Sequence, residues 1–210
     1  MGNNILIGGT GNDVFTSGAG NDLFAFNAGD GADHIRLGGG KDTLSLGRSI
    51  AYESLSLSKQ GDDLKLDLGS GDTIVFDDWY TDTAHRSLVN LQMIADSLGD
   101  HNPAGANTLK DNKVELFNFQ ALVSKFDEAR AANPRLNKWN ALNSMLATHL
   151  DGSDVAALGG DFAYRYGHDG SLANVSVDAA QAMLANAQLN VNPQALQAVA
   201  ALQTGGQRLS

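Results

Sequence analysis

Carboxylates recur at a fixed place near the start of this chain. Two consecutive nine-residue units, Gly8–Thr16 and Ser17–Ala25, share one template: a glycine-rich half, an aspartate in sixth place and an apolar residue in eighth. Half of an earlier copy precedes them (Gly2-Asn3-Asn4-Ile5-Leu6-Ile7), and two more follow, around Asp33 and Asp42. The sixth-place residues are Asn4, Asp13, Asp22, Asp33 and Asp42, spaced by 9, 9, 11 and 9. Stacked along an edge, such carboxylates repel one another unless a cation lies between them. Carbonyl and carboxylate oxygens together suit a hard ion at coordination six to eight, which favours calcium over magnesium or zinc.

The elements that must position these carboxylates follow from the same units. Glycines at places two and four permit positive φ and tight turns. The last three residues of each unit form a short strand whose middle side chain (Leu6, Phe15, Phe24, Ile35, Leu44) points to one face. Turn and strand in alternation predict a solenoid, because no single unit can bury its apolar residue alone.

The units resemble the repeats-in-toxin (RTX) nonapeptide of bacterial type I-secreted proteins. That resemblance implies a parallel β-roll with two units per turn and calcium ions between turns. One ion would lie among Gly9, Gly11, Asp13, Ala28, Asp30 and Asp33. A second would lie among Gly18, Gly20, Asp22, Leu37, Gly39 and Asp42. A third would use Gly2, Asn4, Ser17, Ala19 and Asp22. Glycines, Ala28, Leu37, Ser17 and Ala19 would contribute carbonyl oxygens. The sequence departs from the template where Asn4 lacks a charge, where Ala28 and Leu37 replace the first glycine, and where two extra residues precede Asp33.

Composition agrees with turn and ion chemistry. Of 24 acidic residues 21 are Asp, and the formal net charge is −10. Residues 1–80 carry 12 acidic and 5 basic side chains, which makes phosphate backbones and anionic membranes poor partners for the repeats. There is no cysteine, so bound ions are the available staple. No N-terminal signal and no membrane-length apolar run is present. The chain opens in mid-repeat at Met1, which suggests the tail of a longer protein.

After Ser45 period-two alternation takes over, in Leu55/Leu57, Leu64/Leu66/Leu68 and Ile74/Phe76, with turns at Gly61-Asp62-Asp63 and Gly69-Ser70-Gly71-Asp72. Three antiparallel or mixed strands are predicted to close the open end of the solenoid, ending in Asp77-Asp78-Trp79-Tyr80. Asp62, Asp63 and Asp72 are candidates for one further ion beside Asp42, or plain turn residues. Ser87 caps an apolar stretch, Leu88 to Ile94, that ends by Gly99.

The remainder reads as helical. Asn118 opens a helix with Phe119, Leu122, Val123, Phe126 and Ala129 on one face, ended by Asn133-Pro134. A second starts at Asn137 with Trp139, Leu142, Leu146 and Leu150 inward. A third starts at Ser176 or Asp178 and runs through Met183, Leu184 and Leu189. A fourth opens at Asn192-Pro193 and runs through Leu196 and Val199 to Gly205-Gly206. Gly159-Gly160-Asp161 and Gly167-His168-Asp169-Gly170 read as helix stops and turns. The stretch Ser153–Tyr164 resembles the C-terminal region of large RTX proteins, in which the uncleaved signal for a type I channel occupies the last several dozen residues.

No catalytic constellation emerges. The five histidines lack zinc spacing, and no nucleophile elbow, P-loop or dinucleotide fingerprint is present. Ser153-Asp154 near His149 reads as a cap rather than a nucleophile–base pair. The expected fold is thus mixed β and α: a calcium-binding β-roll with capping strands over residues 1–80, then a small helical region over 81–210. The expected function is calcium-dependent folding and secretion at the C-terminus of a larger exported RTX protein, extracellular and monomeric, with calcium and the export channel as partners and no enzyme activity of its own. The alternative is a calcium-scaffolded adhesin or polysaccharide-binding module, which needs a basic or aromatic strip; Arg36, Lys41 and Arg48 are the nearby cations.

Overall fold

A computed structural model describes residues 2–205, 208 and 209. Its elements are β1 (Ile5–Leu6), β2 (Val14–Thr16), β3 (Leu23–Phe26), β4 (Ala32–Arg36), β5 (Asp42–Leu46), β6 (Ser56–Gln60), β7 (Asp63–Gly69), β8 (Asp72–Phe76), β9 (Leu88–Ile94), β10 (Val114–Asn118), α1 (Phe119–Ala132), β11 (Trp139–Asn140), α2 (Leu142–Thr148), β12 (His149–Ser153), β13 (Ala156–Ala157), α3 (Gly160–Asp169), α4 (Val177–Leu184), β14 (Gln194–Ala195) and α5 (Val199–Leu202).

The first five strands step back and forth between two six-stranded sheets. Sheet one has the order β1-β3-β5-β9-β10-β12, and sheet two the order β11-β6-β7-β8-β4-β2. Neighbours among the repeats are parallel: β1 with β3, β3 with β5, and β2 with β4. The turns stack as tightly as the glycines allow. Gly31, at φ +111°, has room for no side chain, because a Cβ there would sit 1.9 Å from the Gly11 carbonyl oxygen.

Period-two alternation then decides what faces the core. Phe24, Phe26, Leu44, Leu46, Leu91 and Met93 of sheet one meet Ile35, Ile74, Phe76, Leu57, Leu64 and Leu66 of sheet two in one buried cluster. Phe15 packs edge-on against Phe24 and Phe26. The helix predicted at Asn118 is α1, whose Asn118 side chain accepts from Ala121 N at 2.9 Å. Its Phe119 packs on Phe76 and Trp79.

The parallel pairing does not stop with the glycine pattern. β8 pairs parallel with β4, and β9 pairs parallel with β5. The β6–β7 hairpin adds to sheet two beyond β8, while β10 and β12 add antiparallel strands to sheet one. Strands from both sides of residue 80 therefore share each sheet.

Several helical expectations give way. Leu88–Ile94, an apolar stretch in the region expected to be helical, is a strand: Leu91 and Met93 face the core between the sheets, and Gln92 is buried on the other face, donating to Ser45 Oγ and Leu158 O. The second helix is only α2; Trp139 lies in β11, and residues 149–153 form β12, paired with β10. Leu146 and Leu150 are 64% and 54% exposed, and Met145 and Thr148 face inward instead. The third helix starts at Ser176, whose hydroxyl accepts from Ala179 N, but it ends at Leu184, which is exposed. Pro193 opens no helix: β14 pairs with β13, and α5 covers four residues. The predicted stop at Gly206 lies outside the described residues. Gly159 and Gly170, both left-handed, are the two ends of α3, a helix that was not expected.

Candidate calcium sites

Two columns of sixth-place residues run up the turns. In the first, Asp13 N donates to Asp33 Oδ1 at 2.8 Å. In the second, Asn4 N and Nδ2 donate to Asp22 Oδ1 at 2.8 and 2.9 Å, and Asp22 N donates to Asp42 Oδ1 at 2.9 Å. The partners are 18 or 20 residues apart, the larger interval reflecting the two-residue insertion before Asp33.

The turn backbones are in register with these columns. Gly11 N donates to Asp30 O at 2.8 Å, and Gly11 and Gly31 form a parallel bridge. Gly39 N donates to Gly18 O, Gly20 N donates to Gly39 O, and Ala19 bridges Gly39. Gly9 has positive φ. Around the first expected site these bonds set Gly11 and Asp13 against Asp30 and Asp33, with Gly9 earlier in the same turn; Ala28 N donates to Arg48 O on the following turn. Around the second, Gly18, Gly20 and Asp22 meet Gly39 and Asp42, with the Leu37 side chain buried in the core. Ser17 turns its hydroxyl toward Gly38 N, at 2.8 Å. Gly2 O lies against Gly20.

Among the described residues no three acidic or histidine side chains converge on one point, but the columns leave carboxylate oxygens that would suit a divalent ion. Asp13 Oδ2 and Asp22 Oδ2 are buried oxygens with no hydrogen-bond partner, a costly state for a charged atom unless something positive meets it. Burial also pushes the Asp33 carboxyl up, reinforced by the charges of Asp13, Asp30 and Asp72 and opposed by the Asp13 N–H. Asp42 is pushed up to about 6, chiefly by burial and further by the Asp22 charge, against the Ser87 hydroxyl and the Asp22 N–H.

Asp62, Asp63 and Asp72 do not converge beside Asp42. Asp63 Oδ1 accepts from Asp78 N, at the far end of β8 from Asp72. Asp72 belongs to the other column, where its two carboxylate oxygens accept from Gly29 N at 2.7 Å and Gly31 N at 3.1 Å. The signal for this was present in Gly69-Ser70-Gly71-Asp72-Thr73-Ile74, which repeats the rhythm of Gly29-Asp30-Gly31 one residue short. Asp42 instead meets Ser87, whose Oγ donates to Asp42 Oδ2 at 2.5 Å. Ser153, Asp154 and His149 also separate. Ser153 Oγ accepts from Ala156 N, Asp154 Oδ1 accepts from Lys113 N, and His149 Nε2 lies 2.7 Å from the fully buried Glu115.

Residues 1–30 and 25–49 match the family described as RTX calcium-binding nonapeptide repeat (4 copies). Repeats of this kind bind Ca2+ and are typical of proteins exported by type I systems. No curated protein matches the chain significantly. Among the described residues, no helix is long and apolar enough to cross a membrane.

Proposed function

We propose that this chain is a calcium-triggered folding and secretion module from the C-terminal part of a larger type I-secreted protein. The observation that carries the reading is the pair of stacked aspartate columns in which Asp13 and Asp22 each keep one buried oxygen without a partner. On this reading the repeats wind as a β-roll within residues 1–80, with capping strands β6–β8, and β8 and β9 extend its two parallel ladders. Gly9, Gly11, Asp13, Asp30 and Asp33 would hold one calcium, and Gly18, Gly20, Asp22, Gly39 and Asp42 another. Ala28 and Leu37 would add carbonyls, with Asn4, Ser17 and Ala19 at a third site.

Bound calcium supplies positive charge between carboxylates that otherwise repel and resist burial. The chain does the rest. Where calcium is scarce, the aspartates keep the repeats unwound and able to thread the export channel, with the signal carried in residues 81–210. Outside the cell the columns close, Phe24, Ile35 and Leu44 become buried with Phe15 packed against them, and the folded chain cannot slip back. Any catalytic or toxic activity would lie upstream. One of the cations on which a glycan-binding reading relies, Arg36, is already paired with Asp78 at 3.1 Å.

Adding calcium to chelated protein, followed by far-ultraviolet circular dichroism, tests this reading. Disorder should give way to β-rich structure between about 10⁻⁴ and 10⁻³ M calcium; an identical spectrum with and without calcium rules out coupled folding. Removal of residues 151–210 should abolish export through a type I channel, and unchanged export would exclude a signal there.

A further inference from the structure

Two sets of hydrogen bonds between the C-terminal segment and the repeats each span two successive turns, beside a single bond from Asn3 Nδ2 to Ala187 O at 3.2 Å. Asn190, 3% exposed, donates through Nδ2 to Asn4 O at 2.7 Å and to Asn21 O at 3.1 Å. Those carbonyls come within reach of one amide only when β1 lies alongside β3. At the other end, Asn27 Nδ2 donates to Tyr166 O at 2.9 Å and Arg48 N donates to Gly167 O at 2.6 Å. Asn27 and Arg48 again belong to neighbouring turns. Tyr166 reaches further and donates its hydroxyl to Asp30 Oδ2 at 2.8 Å, inside the first candidate calcium turn.

The surface between these grips is apolar and closely fitted. Leu23 and Ala25, on the outer face of sheet one, are covered by Leu158, Ala163 and Tyr166. Ile5 of the first turn packs against the cluster of Phe162, Val175, Met183 and Leu202. α3 approaches so closely that a Cβ on Gly47 would stand 2.2 Å from the Gly167 Cα.

We propose that residues 155–202 are a partner of the wound repeats, docking on the outer face of sheet one only after the first turns have stacked, and that this docking in turn tightens calcium binding. The inference rests on the calcium-coupled folding proposed above. Each grip needs two turns in register, so the docked segment binds the wound state and not the unwound one. Linkage then requires that docking favour winding as much as winding favours docking. A segment held this way is withdrawn from any export channel once the repeats have wound.

Hydrogen–deuterium exchange on the full chain across a calcium titration tests the coupling, with Asn190→Ala, Tyr166→Phe and the exposed control Leu184→Ala. In the wild type, residues 23–46 and 160–190 should gain protection at one shared calcium concentration. Two lost hydrogen bonds, divided over two or three ions per folding event, should raise the Asn190→Ala midpoint about two- to five-fold. Tyr166→Phe should raise it less, and Leu184→Ala should not move it. Protection of residues 160–190 in chelator equal to that in calcium overturns the proposal, as does an Asn190→Ala midpoint equal to wild type. If residues 23–46 respond to calcium and 160–190 do not, docking alone fails. If neither responds, the calcium-coupled folding beneath it fails.

Discussion

Acidification in the presence of chelator should stabilise the fold, an unusual direction for an acidic protein, and Asp42 supplies the reason. Its carboxyl is fully buried and rises from 3.8 to about 6 in the folded state. A raised folded pKa means that the folded chain binds the proton more tightly than the unfolded chain. The resulting stabilisation is complete below about pH 3.8, declines as pH rises, and is gone above about pH 6. Two units of difference correspond to about 3 kcal/mol between the ends of that window. The assay is far-ultraviolet circular dichroism in chelator at pH 4, 5, 6 and 7.5, for wild type and Asp42→Asn, which reads how far lowered pH restores β structure to the unwound apo chain. Subtracting the variant's pH dependence removes what the other carboxylates contribute. Saturating calcium should reverse the slope, because proton and ion compete for the same oxygens. The reasoning fails if the apo wild type gains β structure as pH rises from 4 to 7, or if Asp42→Asn retains the whole slope.

Asp22→Ala and Asp13→Ala should each raise the calcium midpoint of folding, measured calorimetrically, by more than Asp67→Ala, whose carboxylate pairs with Lys138 outside the columns; equal shifts would contradict the site assignment. Phe119→Ala, fully buried against Phe76 and Trp79, should cost about 3–5 kcal/mol in denaturant unfolding at saturating calcium. Leu146→Ala, 64% exposed, should stay within about 0.5 kcal/mol. Asn118→Ala removes the α1 cap and should cost about 1 kcal/mol in the same measurement.

The parts that were legible in the sequence are those whose signal is local and repeated. Nine-residue spacing located every short strand from β1 to β5, because each unit carries its own turn and its own apolar residue. α1 was legible from Asn118 and Asn133-Pro134, since caps act within one turn of the helix end. The Leu142, Leu146, Leu150 series misled because four-residue spacing matches a helix period, whereas pairing with β10 draws residues 149–153 into an extended chain. α3 is hidden in the sequence because glycines at both its ends resemble interruptions; Gly159 and Gly170 adopt left-handed conformations at the helix ends. The place of Asp72 in the Asp33 column depends on β8 lying parallel to β4, across the intervening strands β5 to β7. The Gly69-Ser70-Gly71-Asp72 rhythm marks the turn, but which earlier turn it stacks on is set by that long-range pairing.

The continuation of both parallel ladders past residue 49, into β8 and β9, has a consequence for how the molecule should be divided. A fragment cut where the glycine repeats end would leave a bare backbone edge on each sheet and strip Phe24, Phe26, Leu44 and Leu46 of their facing side chains. The smallest piece able to respond to calcium as one cooperative body therefore reaches at least through β10 and α1. Steepness in a titration curve would then be a property of that whole body, not of the number of ions it holds.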